Sequence, residues 1–448
     1  MPPDPALKSA AVSAAGGGPR PFLDLRAATL LVIANMIGTG VFTTLGLQAA
    51  AVPDAPALLL LWLLGGIVAL CGALSYAELA AALPDSGGEY HFISRIYGPR
   101  LGTIAGWLSL IVGFGAPVAL AAMACGRYLA VALPLPPLWL ALGAVTLVAA
   151  IHALDLDLGR RFQVIATLLK LALILLLILA GMLMPPVPGA LPLQPSRATL
   201  SAIASAPFAL AVIYVSYAYS GWNAATYVSA EVRRPRQTVP RALALGTALV
   251  TLLYMLLNLS FLRQIPAGEL PGTVEVGAAA AVRLFGVAGS QLVSVALGML
   301  LISSLSAMLL AGPRVLDRMA EDWPGLRPFS ARNRRGAPFR AVLSLWLLAS
   351  AMILTDSFAA VLGAAGFTLG LSALLTVVGV MRLRRQEPAL PRPYRIPWYP
   401  LPPLLFALVS VLSLGVVATA QPLPVGAGLA LLFFLWLGLA IFDRRAAR

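Results

Sequence analysis

From Ala57 to Ala82 only one charged side chain, Glu78, interrupts an apolar run. About 20 such residues cross the hydrocarbon of a bilayer, so this run is long enough to span it. Similar runs recur along the 448-residue chain. In lipid, backbone N–H and C=O groups must bond within their own segment, so the runs are expected to be helices. Composition agrees: 11% of residues are charged and 60% hydrophobic, against about 25% charged in soluble domains. The net charge of +14 follows the loops, which argues for a lipid bilayer and against a nucleic acid partner.

Reading apolar runs and their flanks predicts twelve spans, at 26–50, 57–82, 101–131, 137–153, 162–184, 203–231, 241–263, 284–311, 339–355, 357–381, 401–420 and 424–442. Twelve spans leave both termini on one side. Of the 31 lysines and arginines, 26 fall in the tails and loops of that side and four (Arg127, Arg197, Arg263, Arg283) on the other, with Lys170 inside a span. Positive loops mark the cytoplasm, so both termini are expected there. Residues 1–24 begin rich in Ala, Pro and Gly without an apolar core; they read as a disordered cytoplasmic tail, not a signal peptide. Cys71 and Cys125 lie inside apolar runs and read as reduced core residues.

Two spans carry a defect. The first reads LVIANMIGTGVFTTL, with Gly38-Thr39-Gly40 at its middle, and the sixth carries Tyr219-Ser220-Gly221-Trp222-Asn223 halfway along. Each Gly costs a helix interior on the order of 1 kcal/mol relative to Ala. A small-residue packing seam would explain the first pair alone. Two interruptions five spans apart instead suggest an inverted repeat, with a transporter site at the midplane. Unwound backbone in lipid needs a ligand or water to satisfy it. The amides that open a half-helix attract a carboxylate, and the carbonyls that end one attract an ammonium group. An α-amino acid carries both.

Four segments, in order, resemble the amino acid–polyamine–organocation transporter superfamily, in particular its L-type amino acid transporter branch. They are IGTGVF in the first span, PDSGGEYHFISRIYG at 84–98, YSGWNAATYVSAEVRRPRQTVPRA in and after the sixth span, and LLAGPRVLDRMAED at the end of the eighth. The resemblance implies an all-α polytopic membrane protein of twelve transmembrane helices: a five-plus-five inverted repeat with broken first and sixth helices, plus two C-terminal helices. Its parts would be repeats at 25–185 and 186–382, then residues 383–448 with the added helices and a cytoplasmic C-terminus. It further implies that the break at Gly38, with the amides of Thr39 and Gly40, holds the substrate carboxylate. The carbonyls of Met36, Tyr217 and Ser220 would receive the amine, and the Tyr217 ring would act as a lid. Gly221 and Trp222 complete the sixth break, and Asn223 takes the place of a polar residue that tunes helix movement.

Lys170 sits in QVIATLLKLALILLLIL and is one of only two lysines beside 29 arginines. An ammonium buried in a span is a functional candidate by default. The resemblance places it between the first, fifth and eighth spans, where sodium-coupled relatives bind a cation, within reach of the first break and of Ser303 or Ser304. It could carry a proton, act as a fixed cation in a proton-independent exchanger, or snorkel without a role. Sodium coupling is not expected. Glu78 is expected to cap or pair with loop arginines, and Glu231 to pair with arginines near Arg233, Arg234 and Arg236. His91 reads as a partly exposed loop residue, His152 as interfacial, and Asp356 as an N-cap.

No metal-ligand cluster, phosphate loop or nucleophile–histidine pair is visible in the sequence, so neither enzyme activity nor a cofactor is expected. A channel would need a continuous polar lining, whereas the polar residues cluster at two breaks. No mid-span carboxylate lies near either break, which favours small or medium neutral L-amino acids. The expected function is sodium-independent exchange by alternating access; proton-coupled symport or export is the alternative, with protons as the candidate coupling ion. The Arg/Ala-rich chain has a bacterial character, so a bacterial inner membrane is expected and a partner subunit is not.

Overall fold

The computed structural model describes residues 23–446 apart from 274, 356, 357 and 421. The expected tail therefore lies almost wholly outside the described residues, as does Asp356. Among the described residues the structure is helical, and its apolar helices group into twelve spans. The first is a bent pair, Leu25–Met36 and Gly40–Ala51, meeting at 40°. Ala55–Ala82, Pro99–Leu129, Pro137–Leu154 and Leu156–Leu183 follow as spans two to five. The sixth is Ala206–Ala218, a turn, and the tighter helix Ala224–Glu231. Pro235–Gln264, Val276–Ala311, Phe339–Ile353, Phe358–Gln386, Leu401–Ala420 and Pro422–Ala446 complete the set.

The helix starts have local causes. Asp24, Asp54 and Asp155 cap the first, second and fifth spans through backbone amides at 2.8–3.0 Å, a typical N-cap role. Proline stands in the first turn of the second, third, fourth and seventh spans, where its missing N–H does no harm. That is why the seventh helix starts at Pro235 rather than 241: the arginines end the apolar run, not the helix. The eighth likewise starts at Val276 and turns at Gly286, whose φ of 72° suits glycine. Span three widens into π-type turns over Ser109–Gly115.

The packing shows the repeat. Span 1 lies against span 7, and span 6 against span 2. Spans 5 and 8 pair, as do 10 and 3; spans 4 and 8 pair, as do 9 and 3. Each relation maps onto its counterpart when five is added to one span number and subtracted from the other. Large apolar side chains such as Leu168, Leu169, Leu408 and Phe434 cover the outer faces of spans 5, 11 and 12, as a lipid solvent requires.

Candidate functional site

The two interruptions touch. Ile37 leaves the helix (φ −79°, ψ 90°) and the chain re-enters helical geometry at Thr39. Among the described residues no acceptor meets the amides of Thr39, Gly40 or Val41, which open the second half-helix. A methyl group at Gly40 would stand 2.7 Å from Ala218 Cα, and one at Gly221, where φ is 96°, 2.7 Å from Asn35 O. Each break thus owes a glycine to the backbone of the other. At Gly38 a methyl group would meet nothing within 4 Å. The first glycine pair is therefore a break and a close-packed seam at once, divided between Gly38 and Gly40.

The carbonyls that end the first half-helices are held. Tyr254 of span 7 places its hydroxyl 2.7 Å from Met36 O and 3.1 Å from Ala218 O. Its ring packs with Trp62 and Tyr219 at centroid distances of 5.5 and 5.0 Å, and Tyr219 donates to Trp62 O at 3.0 Å. Tyr254 escapes a reading by interruptions; its signal is the polar stripe Thr247, Tyr254 and Asn258 at helical spacing in an apolar run.

Lys170 is 1% exposed on a stripe of span 5 that includes Gln163, Thr167 and Ile174, while Leu168 and Leu169 beside it face outward. Its Nζ donates to Ala34 O (3.0 Å), Ile37 O (2.7 Å) and Ser304 Oγ (2.8 Å). Three acceptors match the three protons of an ammonium, and the two carbonyls belong to the negative end of a half-helix. Ser304 in turn donates to Ile37 O at 2.9 Å. Ser303 is not a partner: its hydroxyl lies 3.3 Å from Thr167 Oγ1, one turn before Lys170.

The remaining candidates divide. Ser220 is exposed, and the Tyr217 side chain lies outside the described residues. Trp222 is buried edge-on to Tyr76 at 4.7 Å and packs on Phe406 of span 11. Asn223 donates to Glu89 Oε1 at 3.1 Å. The expectation excluded only mid-span carboxylates, and Glu89 is not one: it reaches the sixth break from the connecting helix Glu89–Tyr97. Glu78 is engaged by Arg384 and Arg392 and by Ile396 N. Glu231 pairs with the distant Arg314, at 2.9 and 3.3 Å, rather than with the arginines beside it. His152 is buried rather than interfacial, 2.8 Å from Ser306 Oγ, because span 4 ends against span 8. His91 is mostly covered, and burial pushes its imidazole down to about 4, against the pull of Asp85.

Interrupted helices meeting within a repeat are the architecture of secondary transporters. The chain belongs to the amino acid permease family, whose profile matches residues 23–442. It is 27% identical to the human cystine/glutamate transporter over 432 residues, covering 91% of this chain and 84% of that one. It is 27% identical to the serine/threonine exchanger SteT of Bacillus subtilis (strain 168), covering 87% and 89%. To the mouse large neutral amino acids transporter small subunit 2 it is 28% identical, covering 94% and 81%.

Proposed function

We propose that this chain is a sodium-independent exchanger of small or medium neutral L-amino acids, working by alternating access across a bacterial inner membrane with both termini cytoplasmic. The repeats are residues 25–185 and 186–382, and residues 383–448 add two helices. The observation that carries the reading is the pair of touching breaks, with amides at Thr39, Gly40 and Val41 that open one half-helix and meet no acceptor among the described residues. A substrate carboxylate belongs on those amides. Its amine belongs on the carbonyls of the break, Met36, Tyr217 and Ser220, where Tyr254 already occupies the first. Lys170 acts as the fixed cation joining the first, fifth and eighth spans. The relatives' names share amino acids and differ in the side chain carried. Glu89, engaged by three neutral donors, is not free to select a cationic side chain. The reading includes no partner subunit, although the mouse relative is named a small subunit.

Proteoliposomes loaded with unlabelled amino acid test it. Uptake of the same labelled amino acid should saturate, accelerate with internal substrate, and persist when choline replaces sodium. Lys170→Ala should abolish exchange while leaving folded protein, and exchange at the wild-type rate by that variant would overturn the role given to Lys170.

A further inference from the structure

Three buried glutamates lie near the cytoplasmic side. Glu78 and Glu231 each meet arginine; Glu89, 3% exposed, does not. One of its oxygens accepts from Tyr76 Oη at 2.7 Å and from Asn223 Nδ2 at 3.1 Å. The other meets Ser372 Oγ. These partners come from span 2, the sixth break and span 10, and all are neutral. Among the described residues no cationic side chain lies within ion-pair distance of Glu89. The titratable groups that face it are two phenols, Tyr76 and Tyr227. Span 3 offers Ser109, 3.4 Å from Tyr227 Oη, and span 10 adds Thr376, bonded to Ser372 O. On its own helix, His91 turns to Asp85 at 3.8 Å and Arg95 to Glu387 at 2.6 Å; on span 10, Arg384 is held by Glu78.

A buried carboxylate without a cation is costly when ionised. Burial raises the Glu89 carboxyl above its ordinary range, while its three donors pull the other way. Asn223 precedes the helix Ala224–Glu231, which on the exchanger reading moves when the cytoplasmic end opens. The departure of Asn223 would remove one donor and admit water, in which a carboxylate ionises freely. Closure and proton binding are then linked, and the linkage is reciprocal.

We propose that Glu89 binds a proton from the cytoplasm and that its occupancy holds the cytoplasmic end closed, with the carboxylic acid in the closed form and the carboxylate in the open one. This deepens the exchanger reading and takes alternating access from it. The direction follows from the raised proton affinity of the buried state. Acid on the cytoplasmic side favours closure, and rising cytoplasmic pH favours opening.

The test is exchange in oriented proteoliposomes as the pH on the cytoplasmic face is varied. Wild-type exchange should climb with pH by up to about tenfold per unit, the limit for one proton. Glu89→Gln keeps a neutral group in place and should stay at the acid-side rate with a flat profile. Tyr76→Phe removes a donor to the carboxylate and should move the midpoint upward. Infrared spectra of the purified protein should show a carboxylic acid band that vanishes as pH rises and is missing in Glu89→Gln. A flat wild-type profile, an unaltered profile in Glu89→Gln, or an unmoved midpoint in Tyr76→Phe overturns the proposal. Should wild type exchange no amino acid at any pH, the transporter reading fails; the infrared titration then decides Glu89 alone, its presence supporting the site and its absence refuting it.

Discussion

Tyr254 has one hydroxyl proton and two carbonyls within reach, Met36 O and Ala218 O. Each carbonyl ends a half-helix, so a single side chain closes the joint between the breaks from behind. Tyr254→Phe keeps the ring among Trp62 and Tyr219 but takes the hydroxyl donor from Ala218 O and leaves Met36 O with the Gly38 amide alone, at a cost of about 1–3 kcal/mol. The expected result is folded protein with a lower melting midpoint and a KM for amino acid raised about tenfold, the equivalent of ~1.4 kcal/mol. A KM equal to that of wild type would show that the hydroxyl is structural only. Lys170 stands out in the sequence because lipid makes a lone ammonium expensive, whereas its reach to the first break is implied by the family resemblance alone. Tyr254 and Glu89 do not stand out. A tyrosine in an apolar helix costs little, and Glu89 sits among loop-like neighbours; its bond to Ser372 joins residues 283 positions apart.

The interrupted elements separate two uses of glycine. Gly40 and Gly221 are required by the backbone each faces, whereas Gly38 faces open space beside the free amides. Adding a methyl group where atoms already touch costs about 1–3 kcal/mol, and Gly221 adds an unfavourable φ. Gly40→Ala and Gly221→Ala should therefore lower thermal stability and abolish exchange together. Gly38→Ala should melt like wild type and, on the proposed reading, lose substrate binding, because its methyl group enters the open space beside the amides assigned to the substrate carboxylate. Measuring melting and exchange side by side checks this, and a Gly38→Ala protein that melts early would refute the division of roles. The spans themselves are legible in the chain, since hydropathy marks what lipid demands. Their ends are less so: the Pro235 and Val276 starts extend helix beyond the apolar stretch, where capping and proline decide instead of lipid.

At the scale of the molecule the N-terminal end of the first span and the C-terminal end of the sixth are tied together, a seal on the proposed reading. Leu23 N donates to Glu231 O at 2.9 Å and Arg233 N to Leu23 O at 2.8 Å. Beneath that pairing, Glu231 and Arg314, each 3% exposed, form a two-bonded ion pair that binds the sixth span to the end of the eighth. The sequence shows Glu231 beside three arginines, yet the partner lies 83 residues away, because the helical geometry of the sixth span aims the carboxylate inward while its neighbours point to solvent. Removing one member of a buried pair costs about 3–5 kcal/mol, while replacing both by apolar groups is often neutral. A seal that can open relieves that cost by opening, so Glu231→Gln should raise the open fraction rather than unfold the chain. Asp317, which pairs with Arg332 near Arg314, places the effect at the lower end, about 3 kcal/mol or roughly 100-fold in the opening equilibrium. A cysteine at the buried Ser229, with Cys71 and Cys125 replaced by serine, reports it through its reaction with a thiol reagent from the face on which Leu23 and Arg233 lie. The rate should rise by that order in Glu231→Gln and return toward the paired rate in Glu231→Leu/Arg314→Met. Equal rates in all three proteins would show that the pair does not hold the seal.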